Sequence, residues 1–156
     1  MQQWYVDAIY HGCLQLSKRT PLRIVWGLKE TEGISLPTDY DRDVFWIEGW
    51  VPQIEVLMHP ITKVGITHCG LGGTFEFIQA GVLALCFPHF GDQPINAENL
   101  ISRKAGLSLI DVKLADRRDK PHDDSVFKFE KQLFTAKDVT EKLDKLLNDP
   151  SFKCGL

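Results

Sequence analysis

The apolar positions change period several times along the chain. From Met1 to Ser17, Tyr5, Ile9, Cys13 and Leu16 recur at helical spacing, with Val6, Tyr10 and Leu14 widening the stripe. That pattern predicts an amphipathic helix packed on a sheet. Pro21 breaks it, and Leu22–Gly27 reads as a short strand. Gly33–Asp43 carries the residues of a loop, and Val44–Ile47 is the next strand. Pro52 suits a first helical turn, because it needs no N–H there, and Ile54, Leu57 and Met58 give that short helix one apolar face up to His59-Pro60. Val64–Thr67 is a strand. A Gly-rich loop, His68–Thr74, follows it and leads into a helix over Thr74–Ala80, capped by Gly81. Val82–Phe87 is apolar throughout, as a strand buried on both faces should be. Pro88 closes that strand, His89–Gln93 forms a loop, and a helix runs over about 94–104 with Gly106 as its cap. Leu107–Val112 is the last clear strand. Thr135–Asp138 resembles a capping box before the apolar face of Val139, Leu143, Leu146 and Leu147, and Asn148–Pro150 stops that helix.

Strands and helices alternating through short connections predict an α/β fold with a doubly wound parallel sheet covered on both faces. Ligands of such sheets bind beyond the carboxyl ends of the strands. Both the 68–74 and 88–93 loops leave strand carboxyl ends, so both point to one crevice. The 156 residues suffice for one domain spanning 1–156, with no internal repeat. Residues from about 113 to 131 are rich in charge and predict a solvated excursion, in which Arg117-Arg118 reads either as a phosphate clamp or as a solvated face.

Composition narrows the partners. Hydrophobic content of 44% and charged content of 25% suit a soluble globular domain. A net charge of −3 provides no global basic field for nucleic acid, so an anionic ligand needs a local site built from backbone N–H groups. Cys13, Cys69, Cys86 and Cys154 have neither zinc-ligand nor disulfide-framework spacing, which predicts reduced thiols in a cytoplasmic setting and no metal. Cys69, in the Gly-rich loop, is a nucleophile candidate only by its position. No apolar run reaches membrane-spanning length, and the first residues lack the pattern of a signal peptide.

The chemistry gathers in one stretch. Successive glycines let a backbone approach a ligand closely, and free N–H groups at a helix start suit a pyrophosphate. Gly70, Gly72, Gly73 and Thr74 supply such a turn, with His68 at its lip as a hydrogen-bond donor; tight strand–helix packing would also account for the glycines. Glu76, read as lying in the first helical turn, can accept hydrogen bonds from a vicinal diol or simply complement the helix dipole. Asp92 and Gln93 offer a carboxylate and an amide to sugar hydroxyls, or serve turn chemistry. Trp50 can stack on a planar base or fill a core, and Gln53 can reach a ribose or base edge or decorate a helix surface.

Together these residues resemble the donor-binding signature of the UDP-glycosyltransferases. The resemblance rests on Trp50-x-Pro52-Gln53, His59, Thr67-His68-Cys69-Gly70, Glu76, Gly81-Val82, Pro88, Asp92-Gln93 and Asn96-Ala97. Trp50 to Gln93 spans 44 residues, the length of the plant version of this box, and the clear likeness runs from about 50 to 110. The resemblance implies a Rossmann-like C-terminal half of a GT-B enzyme. In it Trp50 would stack on uracil, and Gln53 would contact the ribose or base edge. His68 and the N–H groups of Gly72, Gly73 and Thr74 would hold the diphosphate, Glu76 the ribose, and Asp92 and Gln93 the transferred sugar. It also implies an inverting reaction without metal or other cofactor, with the UDP-sugar as substrate.

Two departures shape what is expected. Plant members usually carry Trp-Asn-Ser after His-Cys-Gly, whereas this chain has Leu71-Gly72-Gly73, so two side-chain donors are replaced by backbone. By the same resemblance, a first strand with a Gly-Ser loop, the acceptor domain with its general-base histidine, and a final crossing helix are expected outside this chain. Three readings follow: the donor-binding half of a hexosyl-transferring enzyme acting on a small lipophilic acceptor, a split-enzyme subunit needing a separate acceptor domain, or a non-catalytic UDP-sugar binding module.

Overall fold

The computed structural model describes residues 2–31, 33–35, 40–114, 127–131 and 133–152. In chain order the elements are α1 (Gln3–Ser17), β1 (Ile24–Gly27), β2 (Phe45–Glu48), α2 (Gln53–Leu57), β3 (Val64–Thr67) and α3 (Leu71–Ala80). They continue with β4 (Leu83–Cys86), α4 (Gln93–Ser102), β5 (Gly106–Ser108), β6 (Asp111–Leu114), β7 (Phe127–Lys131) and α5 (Ala136–Asn148).

β4 explains how the layers form. All four of its residues are buried, and they alternate between two cores. Leu83 and Leu85, followed by Phe87, join Val6, Ile9, Cys13 and Leu16 of α1 with Val139, Leu143 and Leu146 of α5. Ala84 and Cys86 join Leu57 of α2, Phe77 of α3, and Ala97 and Leu100 of α4. A strand with period-two side chains thus separates two helix layers, as its unbroken apolar run predicted. Each large apolar side chain so buried contributes about 1.5–3 kcal/mol before entropy is charged against it.

α1 and α5 cross at close range because residue 12 has no side chain. A Cβ on Gly12 would lie 2.6 Å from Val139 Cβ and 2.7 Å from the Ala136 carbonyl oxygen. The same crossing carries a buried hydrogen bond, in which Thr140 Oγ1 donates to the Gly12 carbonyl at 2.9 Å. α5 starts on the expected capping box. Thr135 Oγ1 accepts from the Asp138 amide at 3.3 Å, and Asp138 Oδ2 accepts from the Thr135 amide at 2.7 Å.

The parallel α/β class holds, and the pairing is more divided than a single sheet. Among the described residues β1 pairs only with β2, while β3, β4 and β5 form a second parallel sheet in that order. Strand propensity is a local property; which edges meet is not, so the division could not be read from periodicity.

Four local expectations are corrected. α3 begins at Leu71 rather than Thr74, because Gly70 O already accepts the Thr74 amide at 2.9 Å; glycine costs about 1 kcal/mol in a helix interior and does not forbid one. The left-handed residue that ends α4 is Lys104, at φ 57°, and not Gly106, which opens β5 opposite Ala84. The expected strand over 107–112 is interrupted, because Ser108 Oγ donates to Ile110 O at 2.7 Å and accepts from Ile110 N at 3.2 Å. Both ends of the charged 113–131 stretch are strand, paired antiparallel as β6 and β7; Arg117-Arg118 and Cys154 lie outside the described residues.

Candidate functional site

β3 and β4 are parallel neighbours with Thr67 opposite Cys86, so the chain leaves both at one edge of the sheet. After β3 it passes through His68, Cys69 and Gly70 into α3. Cys69 adopts φ 64°, an uncommon conformation for a residue with a side chain, yet its thiol is fully buried. Thr67 Oγ1 accepts from the Cys69 amide at 3.1 Å, and Asn96 Nδ2 donates to the Cys69 carbonyl at 3.0 Å. Gly70 is required by proximity. A Cβ there would meet His68 Nε2 at 2.7 Å, so the imidazole lies over the loop only because residue 70 is glycine.

The first turn of α3 then presents its amides. Among the described residues no acceptor takes the N–H groups of Leu71, Gly72 or Gly73, whereas the Thr74 N–H is bonded to Gly70 O. These orphan donors and the positive end of the helix dipole favour an anion. Thr74, expected among the ligand-binding amides, is instead buried, and its Oγ1 has no hydrogen-bond partner among the described residues. Leu71 takes its place in the amide set; its side chain gave no sign of this, because the donor is backbone.

Glu76 sits in the second turn of α3 rather than the first, so the dipole account of its charge loses force. Its Oε2 accepts from Gln53 Nε2 at 2.6 Å, which brings α2 and α3 together at the site. Trp50 follows β2 and is 78% exposed, which rules out the core-filling account of that ring. His59 lies in the turn after α2, where its Nδ1 accepts from the Ile61 amide at 3.4 Å, a local structural role.

The loop after β4 is ordered from within. Gln93 is buried, and its Oε1 accepts from the His89 amide at 2.8 Å and the Phe90 amide at 3.4 Å. Its carbonyl end is therefore committed to the loop, leaving only Nε2 for other contacts. Asp92 is exposed, and its Oδ2 accepts from Asn96 Nδ2 at 2.7 Å. His89 packs edge-on against Tyr5, with Nδ1 3.3 Å from the Tyr5 hydroxyl. Burial, and then the nearby His68, hold the His89 pKa below its ordinary value of 6.5.

Cys13, Cys69 and Cys86 are all buried, so none presents its thiol at the surface of the site. Burial pushes Cys13 up to about 12, and a hydrogen bond with Cys69, reinforced by burial, raises Cys86 well above the usual thiol range. Among the described residues no group of three or more His, Cys, Asp or Glu could hold a metal ion, and no helix is long and apolar enough to cross a membrane.

An α/β domain with parallel strands, anion-seeking amides after β3, a diol-competent carboxylate on α3 and an exposed tryptophan after β2 has the fold of half a GT-B protein. Os79 from O. sativa, solved in complex with UDP, superposes on 96% of this chain and 30% of its own with a TM-score of 0.69, at 19% identity. The family model "UDP-glucoronosyl and UDP-glucosyl transferase" matches residues 15–119, and the chain belongs to that UDP-glycosyltransferase family. It is 42% identical over 113 residues to a beta-D-glucosyl crocetin beta-1,6-glucosyltransferase from Gardenia jasminoides, covering 67% of this chain and 25% of that protein. It is 32% identical over 135 residues to UDP-glycosyltransferase UGT5 from Dactylopius coccus, covering 86% of this chain and 21% of that protein. The chain thus spans about a quarter or less of the curated relatives it matches.

Proposed function

We propose that this chain is the donor-binding half of a UDP-sugar-dependent glycosyltransferase that passes a hexosyl group to a small lipophilic acceptor held by a separate domain. The three free amides that open α3 directly after β3, on a helix whose Glu76 is held by Gln53, support this reading. The diphosphate lies against the amides of Leu71, Gly72 and Gly73, with His68 donating from the lip. Glu76, steadied by Gln53, accepts from the ribose hydroxyls. Trp50 covers the base, and Asp92 faces the sugar. Amides fixed along a helix axis stabilise negative charge developing on the leaving UDP without reorganising, and that supplies the chemistry without metal or cofactor.

The test is calorimetry of the folded chain with UDP. A saturable UDP heat that Gly72→Pro abolishes is expected. A folded chain that gives no UDP heat would refute the reading. Hexosyl transfer is expected only when an acceptor domain is supplied; turnover by this chain alone onto a lipophilic alcohol would contradict the division of labour.

A further inference from the structure

Asn96 touches both loops of the site. It is the fourth residue of α4 and half-buried. An amide nitrogen has two protons to donate, and both are used. One reaches back 27 positions to the Cys69 carbonyl at 3.0 Å; the other goes to Asp92 Oδ2 at 2.7 Å. Among the described residues no other side-chain hydrogen bond joins the 68–70 loop to the 88–92 loop.

Each target is a place where position matters. Cys69 holds a left-handed conformation that costs a residue with a side chain roughly 1–2 kcal/mol, so it persists only where its surroundings hold it. Thr67 Oγ1 pins the peptide group before it, and Asn96 pins the one after it. That second peptide group leads into Gly70 and sets the direction in which the first amides of α3 point. Asp92 is otherwise an exposed carboxylate, free to change rotamer; Asn96 engages one oxygen and leaves the other available. Asparagine is a poor helix former, and its bond to the α4 N-cap residue Asp92 offsets that by only about 0.2–0.5 kcal/mol, so the helix gains little from it at this position.

We propose that Asn96 is a positioning residue that locks the diphosphate loop and the sugar-side loop into one arrangement, so that the diphosphate and the sugar of the donor are recognised together. The proposal rests on the UDP-sugar reading of the site, and its consequence for the loops can also be measured without ligand. Asn96→Ala removes both bonds. Asn96→Asp keeps the shape but replaces the donor with an acceptor, which faces one carbonyl and one carboxylate.

The experiment uses the full chain and the variants Asn96→Ala and Asn96→Asp. Calorimetry with UDP and with UDP-glucose from pH 5.5 to 7.5 is combined with mass-spectrometric mapping of N-ethylmaleimide labelling. Losing one charge-assisted and one neutral hydrogen bond should weaken UDP-glucose about tenfold or more in both variants at pH 7.5. As the pH falls, the introduced carboxyl of Asn96→Asp takes up a proton shared with Asp92 and becomes a donor again. Its affinity relative to wild type therefore recovers, whereas that of Asn96→Ala does not; a merely structural defect would not show this difference. Cys69 labelling in the free chain should rise about tenfold in Asn96→Ala relative to Cys13, as expected when a local opening loses roughly one hydrogen bond of protection. Folded variants that bind UDP-glucose within twofold of wild type at pH 7.5, or an Asn96→Asp deficit that stays the same at every pH, would overturn the proposal. If the wild type itself fails to bind UDP, the donor-site reading falls, and an unchanged Cys69 labelling rate then overturns the loop tie as well.

Discussion

Replacing Gly70 with alanine separates the role of the His68 ring from the stability of the fold. The backbone at Gly70 has φ −60° and ψ 152°, which alanine adopts without strain. The added Cβ would stand 2.7 Å from His68 Nε2 and 3.3 Å from Cδ2, both at the far end of an exposed, flexible side chain. The ring can swing away at little cost, so the fold keeps its stability. It can gain about 0.4–1 kcal/mol, because alanine has less freedom than glycine to lose from the unfolded chain. The ligand loses the hydrogen bond that His68 offers a phosphate oxygen. A bond to a charged group is worth about 1.5–3 kcal/mol, or roughly 10- to 100-fold in the UDP dissociation constant. The assay is calorimetry with UDP beside a thermal melt, on Gly70→Ala, His68→Ala and the double variant. Both single variants should weaken UDP by similar factors, the double by little more than either, and Gly70→Ala should melt no lower than wild type. UDP affinity unchanged in Gly70→Ala, or losses that multiply in the double variant, would refute the coupling of residue 70 to the ring.

Gly12→Ala drives a Cβ into Val139 and the Ala136 carbonyl at the α1–α5 crossing. Overpacking of about 1–3 kcal/mol outweighs a helix-propensity gain of about 1 kcal/mol, so a lowered melting temperature is expected, with UDP affinity unchanged because the crossing lies in the core away from the site loops. Lys104→Gly relieves the left-handed end of α4 and should raise stability by about 0.5–1 kcal/mol in chemical denaturation; a loss would contradict the strain assigned to Lys104. His89, held below 6.5 by burial, binds fewer protons folded than unfolded, so the melting temperature should decline as the pH drops from about 6.5 and level off below the folded value. His89→Phe should remove that part of the decline.

What could be read from the residues was whatever is encoded locally. The capping box at Thr135, the left-handed Gly81 and the two-sided burial of β4 each follow from a few neighbouring residues, and each is present. The pairing of Gln53 with Glu76 joins two residues that the sequence had already put in one site. The start of α3 was misplaced because paired glycines read as a breaker, although a helix can open on them when the preceding carbonyl accepts the fourth amide. The strand at 127–131 was hidden because its alternating phenylalanines sit in a run of charge. Asn96 stood in the signature, but its bonding could not be read from its helix, since one of its partners is the carbonyl of a residue 27 positions earlier. The left-handed turn at Cys69 carries no residue-type signature at all.

The sandwich around β4 is lopsided. Facing α1 and α5 it carries Leu83 and Leu85, and facing α3 and α4 it carries Ala84 and Cys86. On β3, a Cβ at Gly65 would come within 2.5 Å of the Phe77 ring, so α3 rests close to bare backbone. Thinness on that side holds the first turn of α3 at the level of the strand ends. Substitutions that thicken it, at Gly65 or Ala84, would lift the helix like a shim under a bearing, carrying the amides of Leu71, Gly72 and Gly73 out of register with His68 and Asp92. Such substitutions in the core should therefore lower stability, as at Gly12, and shift the helix start in the same stroke.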